Sequence, residues 1–232
     1  MRVWRILPIV LTAAIWPTDG RSSDAATAAL SEVRAKMISQ QGLNCDLREV
    51  ECVTARLTGM MAVDQLALTE IQGAGCGQTN ENPGPCDDLS RLKEEIFKSN
   101  RLVLIEIRHL HGWPTRTVFG EPAALAAWLI AQHSDDDIAF QRSVLPDVEA
   151  AVERHEALAY EAPYLEDRIS IGEGRPQLYG TQGHCIDGGW RADPILQPDK
   201  LDERRKSSGL DPYRGYLQMT AQMCSNNAEA HK

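Results

Sequence analysis

Two histidines, His111 and His133, and two carboxylates, Asp64 and Asp167, are the side chains in this sequence best placed by type for chemistry. Imidazole moves protons near neutral pH, and two imidazoles with one carboxylate can hold a catalytic metal that keeps an open position. Asp64 interrupts the run Val50, Val53, Leu57, Met60, Asp64, Ala67, Ile71, which otherwise repeats as one apolar helix face. Gln141 interrupts a second stripe, Ile138, Gln141, Leu145, Val148, Val152, and Gln132 interrupts a third. An unpaired buried polar group costs roughly 1 to 3 kcal/mol, so each of these three needs a partner. Candidate partners stand at the ends of neighbouring elements: His111, His133, Asp167, Arg168, Gln177, Tyr179 and Gln182.

Two readings account for this pattern. In the first, a polar pocket lies under the segment 174–182, with His111, His133 and Asp167 as acid/base groups or metal ligands. Asp64, Gln141, Arg168, Gln177, Tyr179 and Gln182 would then contact a ligand. In the second, the same residues satisfy one another, and an ion pair from Asp64 or Asp167 to Arg168 fixes how the helices meet. Neither reading specifies a cofactor.

Other signals are blander. His109 and His111 are two positions apart, so a helix points them to different faces, and His109 is expected at the surface. The run Asp135-Asp136-Asp137 reads as helix-capping charge in preference to a cation site. Trp113 before Pro114 reads as a packing anchor, and Tyr160 and Tyr164 share a core face. Ser90-Arg91-Leu92-Lys93 fits S-x-x-K, but the companion K-T-G is absent and the four residues open an ordinary amphipathic helix. Zincin, α/β-hydrolase, P-loop and dinucleotide fingerprints are absent.

The elements that would position these residues are mainly helical. The stripe from Val50 predicts one helix. Leu89, Leu92, Ile96, Val103, Ile107 and Leu110 predict a second, starting at Asp87 or Asp88, stopped by Gly112 and Pro114, and paired with the first as an antiparallel hairpin. A third follows Gly120, takes Pro122 in its first turn, buries Leu125, Trp128 and Leu129 and ends near His133. Ser134 and Asp137 suggest a capping box for a fourth, which Pro146 would kink. A fifth spans about Ala157 to Ile171, with Pro163 a candidate break. Glycines at 172, 174, 180, 183, 188 and 189 predict a hairpin or looped cap, followed by a short charged helix over Asp199 to Ser208 and a frayed end over 225–232.

Arg2 and Arg5 precede an apolar run of 11 residues, Ile6 to Trp16, with small residues at Ser23 and Ala25. Residues 1–25 therefore read as a cleaved secretory signal, since a membrane span needs roughly 20 apolar residues. Removing them takes three arginines and two aspartates, and the formal charge moves from −9 to −10. Such an acidic chain repels phosphate backbones and anionic lipid, which argues against nucleic acid and against stable membrane insertion after cleavage. The partner is left as a small molecule or a protein. All six cysteines lie beyond residue 25 and none forms C-x2-C, which favours disulfides over a metal cluster and a periplasmic or secreted location. Cys76–Cys86 and Cys185–Cys224 rank first, leaving Cys45 with Cys52, and that last pair requires Cys45 to precede the helix.

Six short stretches in order, VDQ (63–65), HGWP (111–114), AAWLIAQHSDD (126–136), AFQR (139–142), YLEDR (164–168) and GRPQLYGTQ (174–182), resemble a bacterial family, DUF6624. The tail 194–217 looks like the end of the same domain. The resemblance implies no reaction. In that family an arginine commonly follows the VDQ element, whereas Leu66, Ala67 and Leu68 stand here, so no charged partner for Asp64 comes from it. The expected organisation is a signal peptide (1–25), an N-terminal helical extension (26–59), a domain resembling that family (60–217) and a tail (218–232). The expected fold is mainly α: a bundle of about five helices with a small C-terminal β-hairpin or looped cap.

Overall fold

Apolar residues at helical spacing build nearly all of the structure. The computed structural model describes residues 23–74, 76, 83–186 and 189–229. Among these the chain forms α1 (Ser23–Gln41), α2 (Val50–Gly73), α3 (Pro83–His111), α4 (Arg116–Phe119), α5 (Glu121–Gln132), α6 (Ile138–Glu153) and α7 (Glu161–Gly172). A two-stranded antiparallel hairpin follows, β1 (Gly183–Ile186) with β2 (Gly189–Ala192). A short 3-10 turn (Pro198–Lys200) leads into α8 (Leu201–Ser207) and α9 (Tyr213–Glu229). The fold is mainly α with a small hairpin, as expected, but it has nine α-helices among the described residues where about five were expected. Elements as short as α4 carry too few apolar positions to show a period.

Helices α2 and α3 form an antiparallel pair. Val63 and Ala67 of α2 cluster with Leu89, Leu92 and Ile96 near the start of α3, while Leu57 and Met60 cluster with Leu104 and Ile107 near its end. Full burial of residues such as Leu57, Leu104 and Ile107 contributes roughly 1.5 to 3 kcal/mol each. Ala29, Val33 and Met37 of α1 join the first cluster, and α2 runs unbroken across residue 60, so the N-terminal residues share this core. At the centre lies α5, in which every residue from Ala123 to Gln132 except Leu125 is buried. Its five alanines let neighbouring helices approach closely, and this burial on all sides sets it apart from an amphipathic surface helix.

Several boundaries differ from expectation for identifiable reasons. Helix α3 begins at Pro83, not Asp87 or Asp88, because proline is tolerated in a first turn whose N–H groups lack partners anyway. Pro163 likewise falls in the first turn of α7, so that helix starts at Glu161, not Ala157. Helix α6 continues through Pro146. Its N-cap is Asp137, whose carboxylate accepts from Phe140 N–H at 3.0 Å, whereas Ser134 turns back and donates to Ile130 O at 2.8 Å. The C-terminal end expected to fray is helical through Glu229. Residues 1–22 of the expected signal lie outside the described residues.

Three disulfides join Cys45–Cys52, Cys76–Cys86 and Cys185–Cys224. Cys45 precedes α2, which brings the first pair to a Cα separation of 5.7 Å, where a regular helix would hold them about 10 Å apart. Three disulfides fit an oxidising compartment. No helix among the described residues is long and apolar enough to cross a membrane.

One buried carboxyl carries a pH consequence. Glu161, 2% exposed, opens α7 beside the aromatic cluster of Trp128, Tyr160 and Tyr164, and its side chain accepts from Leu158 N–H at 3.1 Å. Burial pushes it up to about 7, opposed by that N–H and by Arg116. A carboxyl raised in the folded state gives stability that is full below its unfolded value and is lost as pH rises through about 7. Glu161→Gln keeps the acceptor and removes the titration. Urea denaturation is expected to find the variant more stable at pH 8 by about 1 to 3 kcal/mol and indistinguishable from the parent at pH 4.

Candidate functional site

The polar residues in the apolar stripes trace to one place, the C-terminal end of α5. A helix end leaves carbonyls without intrahelical donors, and here those carbonyls are buried. Ser134 N–H and its hydroxyl serve Ala131 O and Ile130 O, and His133 N–H serves Leu129 O. The remaining demand is met from α6: Gln141, fully buried, donates through Nε2 to Ala131 O (3.1 Å) and Gln132 O (3.2 Å), and lies 3.2 Å from Asp135 Oδ1. Gln141 stands in an apolar stripe because it caps a buried helix. Its Oε1 and the Nε2 of Gln132 are buried without a partner among the described residues.

Asp64 finds its partner on the same turn. Its carboxylate, 1% exposed, receives Nδ1 of His133 at 2.9 Å from both oxygens, and Gln65 Nε2 at 2.9 Å. A carboxylate only accepts, so His133 carries a proton on Nδ1. Nε2 has no partner among the described residues, and the side chain keeps 16% of its exposure. Phe97 of α3 stacks on the imidazole at 4.9 Å and 24°, fixing the ring plane.

The acidic run is divided among three tasks. Asp137 caps α6. Asp136 pairs with Arg101 of α3, whose Nη2 lies 2.9 Å from Oδ2, and this hydrogen bond holds Asp136 below the usual carboxylate range. Asp135 accepts from Arg168 Nη1 at 2.6 Å, and Arg168 Nε reaches Gln132 Oε1 at 2.9 Å. The expected pairing of Arg168 with Asp64 or Asp167 is therefore replaced by Asp135. Capping accounts for only one of the three aspartates.

Asp167, one residue before Arg168, serves a separate structure. Its buried carboxylate accepts the N–H groups of Leu178 (2.7 Å), Tyr179 (2.9 Å) and Thr181 (2.9 Å), and the Thr181 hydroxyl at 2.9 Å. Burial pushes this carboxyl upward, against the pull of those donors. Gln177, also fully buried, donates to Gln182 O (2.8 Å) and Asp193 O (2.9 Å) and accepts from Gln182 N–H (2.8 Å). Tyr179 enters through its backbone, its carbonyl accepting from Arg205 Nη1 at 2.6 Å. The segment 174–182 is thus not the roof of a pocket over both histidines; its polar groups are turned onto Asp167, Gln177 and Arg205.

His111 lies apart. It ends α3, donates from Nε2 to Leu47 O at 2.7 Å and meets Phe119 edge-on at 5.5 Å. Phe97, against which His133 stacks, is fourteen positions earlier on α3, about 21 Å along the axis. Even with both side chains reaching inward, the imidazoles exceed the roughly 4 Å that two 2 Å bonds to one ion span. A shared metal between His111 and His133 is excluded by this geometry. His109 is exposed, as expected.

The site thus joins Asp64, His133, Gln141 and Arg168, leaves Asp167, Gln177, Tyr179 and Gln182 in the adjoining loop network, and separates His111. Phe97, Asn100 and Arg101 were missed. Asn100, 5% exposed with Nδ2 3.5 Å from Met60 O, follows Ile96 by four positions, and that spacing could have exposed it as another polar residue in an apolar stripe.

Fold and site together define a helical domain with a buried polar network at one helix end. The chain belongs to DUF6624, a family of unknown function, whose model matches residues 53–225. No curated protein and no solved structure matches it.

Asp167→Asn tests the loop network, because an amide presents a donor where three backbone N–H groups need acceptors. The variant is expected to lose at least about 2 kcal/mol in urea denaturation. Hydrogen exchange at the amides of Leu178, Tyr179 and Thr181 is expected to accelerate well beyond that of the α5 amides.

Proposed function

We propose that this chain is an exported binding domain, periplasmic or secreted, that meets a small polar ligand through the imidazole of His133. One observation carries the reading: the ring is fixed at Nδ1 by buried Asp64 and on one face by Phe97, while Nε2 is left without a partner among the described residues. A purely structural histidine gains nothing from an open second nitrogen. With the proton on Nδ1, neutral His133 offers a lone pair at Nε2 to an N–H or O–H of the ligand, and the protonated ring offers a donor. Arg168 of α7, part-exposed and held by Asp135 and Gln132 at the end of α5, supplies a cation to the same network.

The same dyad favours a second reading, general acid/base catalysis by His133 alone. A carboxylate on Nδ1 orients an imidazole and stabilises its protonated form, which suits proton transfer at Nε2. A hydrolase of this kind would not involve His111.

His133→Asn separates these roles from a structural one, since the Asn amide can still donate to Asp64 while the Nε2 position disappears. Sugars, amino acids and short peptides would be screened by ligand-detected NMR against the parent and the variant. The expected result is at least one saturable ligand whose affinity falls about tenfold or more in His133→Asn, with the circular dichroism spectrum unchanged. Retention of every interaction by the variant would overturn the proposal, and conversion of a bound compound would favour the catalytic reading.

A further inference from the structure

The surface near His111 carries chemistry that the His133 site does not use. A groove of about 390 Å³ lies where the end of α3, helix α4 and the second half of α6 meet. That volume falls within the roughly 300 to 1,000 Å³ of small-molecule sites. Trp113, Phe119 and Ala150 form its apolar lining, and Val118 stands at it 53% exposed. Gly112, with φ +75, makes the turn that stops α3, and a Cβ there would meet nothing within 4 Å, so the groove is open beside it.

The charged groups around this groove differ in how they are engaged. Asp147 is neutralised by Arg108, whose Nε lies 2.6 Å from its carboxylate and whose Nη2 reaches Ser143 O at 2.8 Å. Glu156, close by, is committed to Thr117 N–H (2.8 Å) and the Thr117 hydroxyl (2.6 Å). The guanidinium of Arg154, exposed at the C-cap of α6, has no hydrogen bond or close ion pair among the described residues, and its charge acts on Glu156 only from a distance, helping to hold that carboxyl below its usual range. A C-terminal arginine favours the helix dipole, but this guanidinium is bonded to no terminal carbonyl among the described residues. His111 directs its Nε2 proton away to Leu47 O, which leaves Nδ1 an acceptor when the ring is neutral.

We infer that this groove binds a small carboxylate with an aromatic or branched apolar body, the carboxylate on the Arg154 guanidinium and the body against Trp113, Val118 and Phe119. A guanidinium pairs with a carboxylate in a two-pronged geometry that an alcohol cannot match. The site is independent of His133, and either can fail without the other.

The test uses the full oxidised chain and the probe 3-phenylpropionate, with the neutral 3-phenylpropanol as its control, followed in amide NMR spectra at millimolar concentrations. Saturable shifts confined to Gly112, Thr115, Val118 and their neighbours are expected with the acid, at least about tenfold weaker with the alcohol. Arg154→Gln, at an exposed position, is expected to weaken the acid about tenfold and leave the rest of the spectrum in place. Val118→Asp, which sets a carboxylate at the groove, is expected to abolish binding. Absence of saturable shifts, equal binding of acid and alcohol, or an unaffected Arg154→Gln would each overturn the inference.

Discussion

The fold depends on burying the last turn of α5. A helix surrounded on every side by others must end inside the protein, and its final carbonyls then need donors that water cannot supply. Glycine often solves this by turning the chain, but His133 stands at that position with φ −86 and no left-handed cap. Side chains supply the donors instead: Ser134 from the following turn and Gln141 from the next helix. This requirement fixes where α6 docks on α5, and through Gln132 and Asp135 it draws in Arg168 of α7. The register of three helices is set by a few hydrogen bonds around one helix end.

Most polar atoms there are consumed by that duty, and this is what isolates the functional question. Arg101, Arg168, Asp136 and Asp137 each complete a contact within the protein. Asp167 and Gln177 do the same for the adjoining loop, where Tyr216 and Arg205 also hold backbone carbonyls. Once these obligations are met, Nε2 of His133 is left unpaired among the described residues on a side chain that keeps 16% of its exposure. Gln132 Nε2 and Gln141 Oε1 also have no partner among the described residues, but they are sealed inside. A residue rigidly oriented by a buried carboxylate and an aromatic face has little entropy to lose on meeting a ligand.

Helical periodicity carried much of this in the sequence. It located α2, α3, α5 and α6 and singled out Asp64, Gln132 and Gln141, because a polar residue among apolar ones at helical spacing implies burial. It could not name their partners. Asp64 and His133 are 69 positions apart, and that pairing is set by how α2 and α5 cross, which no local pattern encodes. The same blindness grouped His111 with His133, since sequence order does not show that α3 holds their surroundings at its middle and its end. Asp167 and Gln177 were recognised as polar residues of interest, yet their partners are backbone amides, which every residue offers and composition cannot distinguish. Arg101, 6% exposed, was passed over because a charged residue beside an apolar stripe reads as solvated until its acid, Asp136, comes from another element.

Two of the three disulfides lie where the α5 core does not reach. Cys45–Cys52 closes the chain onto the first turn of α2, Cys76–Cys86 ties the α2 end to the α3 start, and Cys185–Cys224 fastens the hairpin to α9. The last two bridges join segments outside the large cluster that contains Leu57, Leu104, Trp128, Val144 and Leu165, whereas the first brackets Leu47 and Val50, which pack against it. The hairpin shows the need most clearly, because β1 is exposed along most of its length and a two-stranded sheet alone is marginal in water. Covalent closure there removes entropy from the unfolded chain where apolar burial cannot offset it. The polar network at the α5 end, by contrast, contains no cysteine: hydrogen bonds and packing among α2, α3, α5, α6 and α7 hold the geometry around His133.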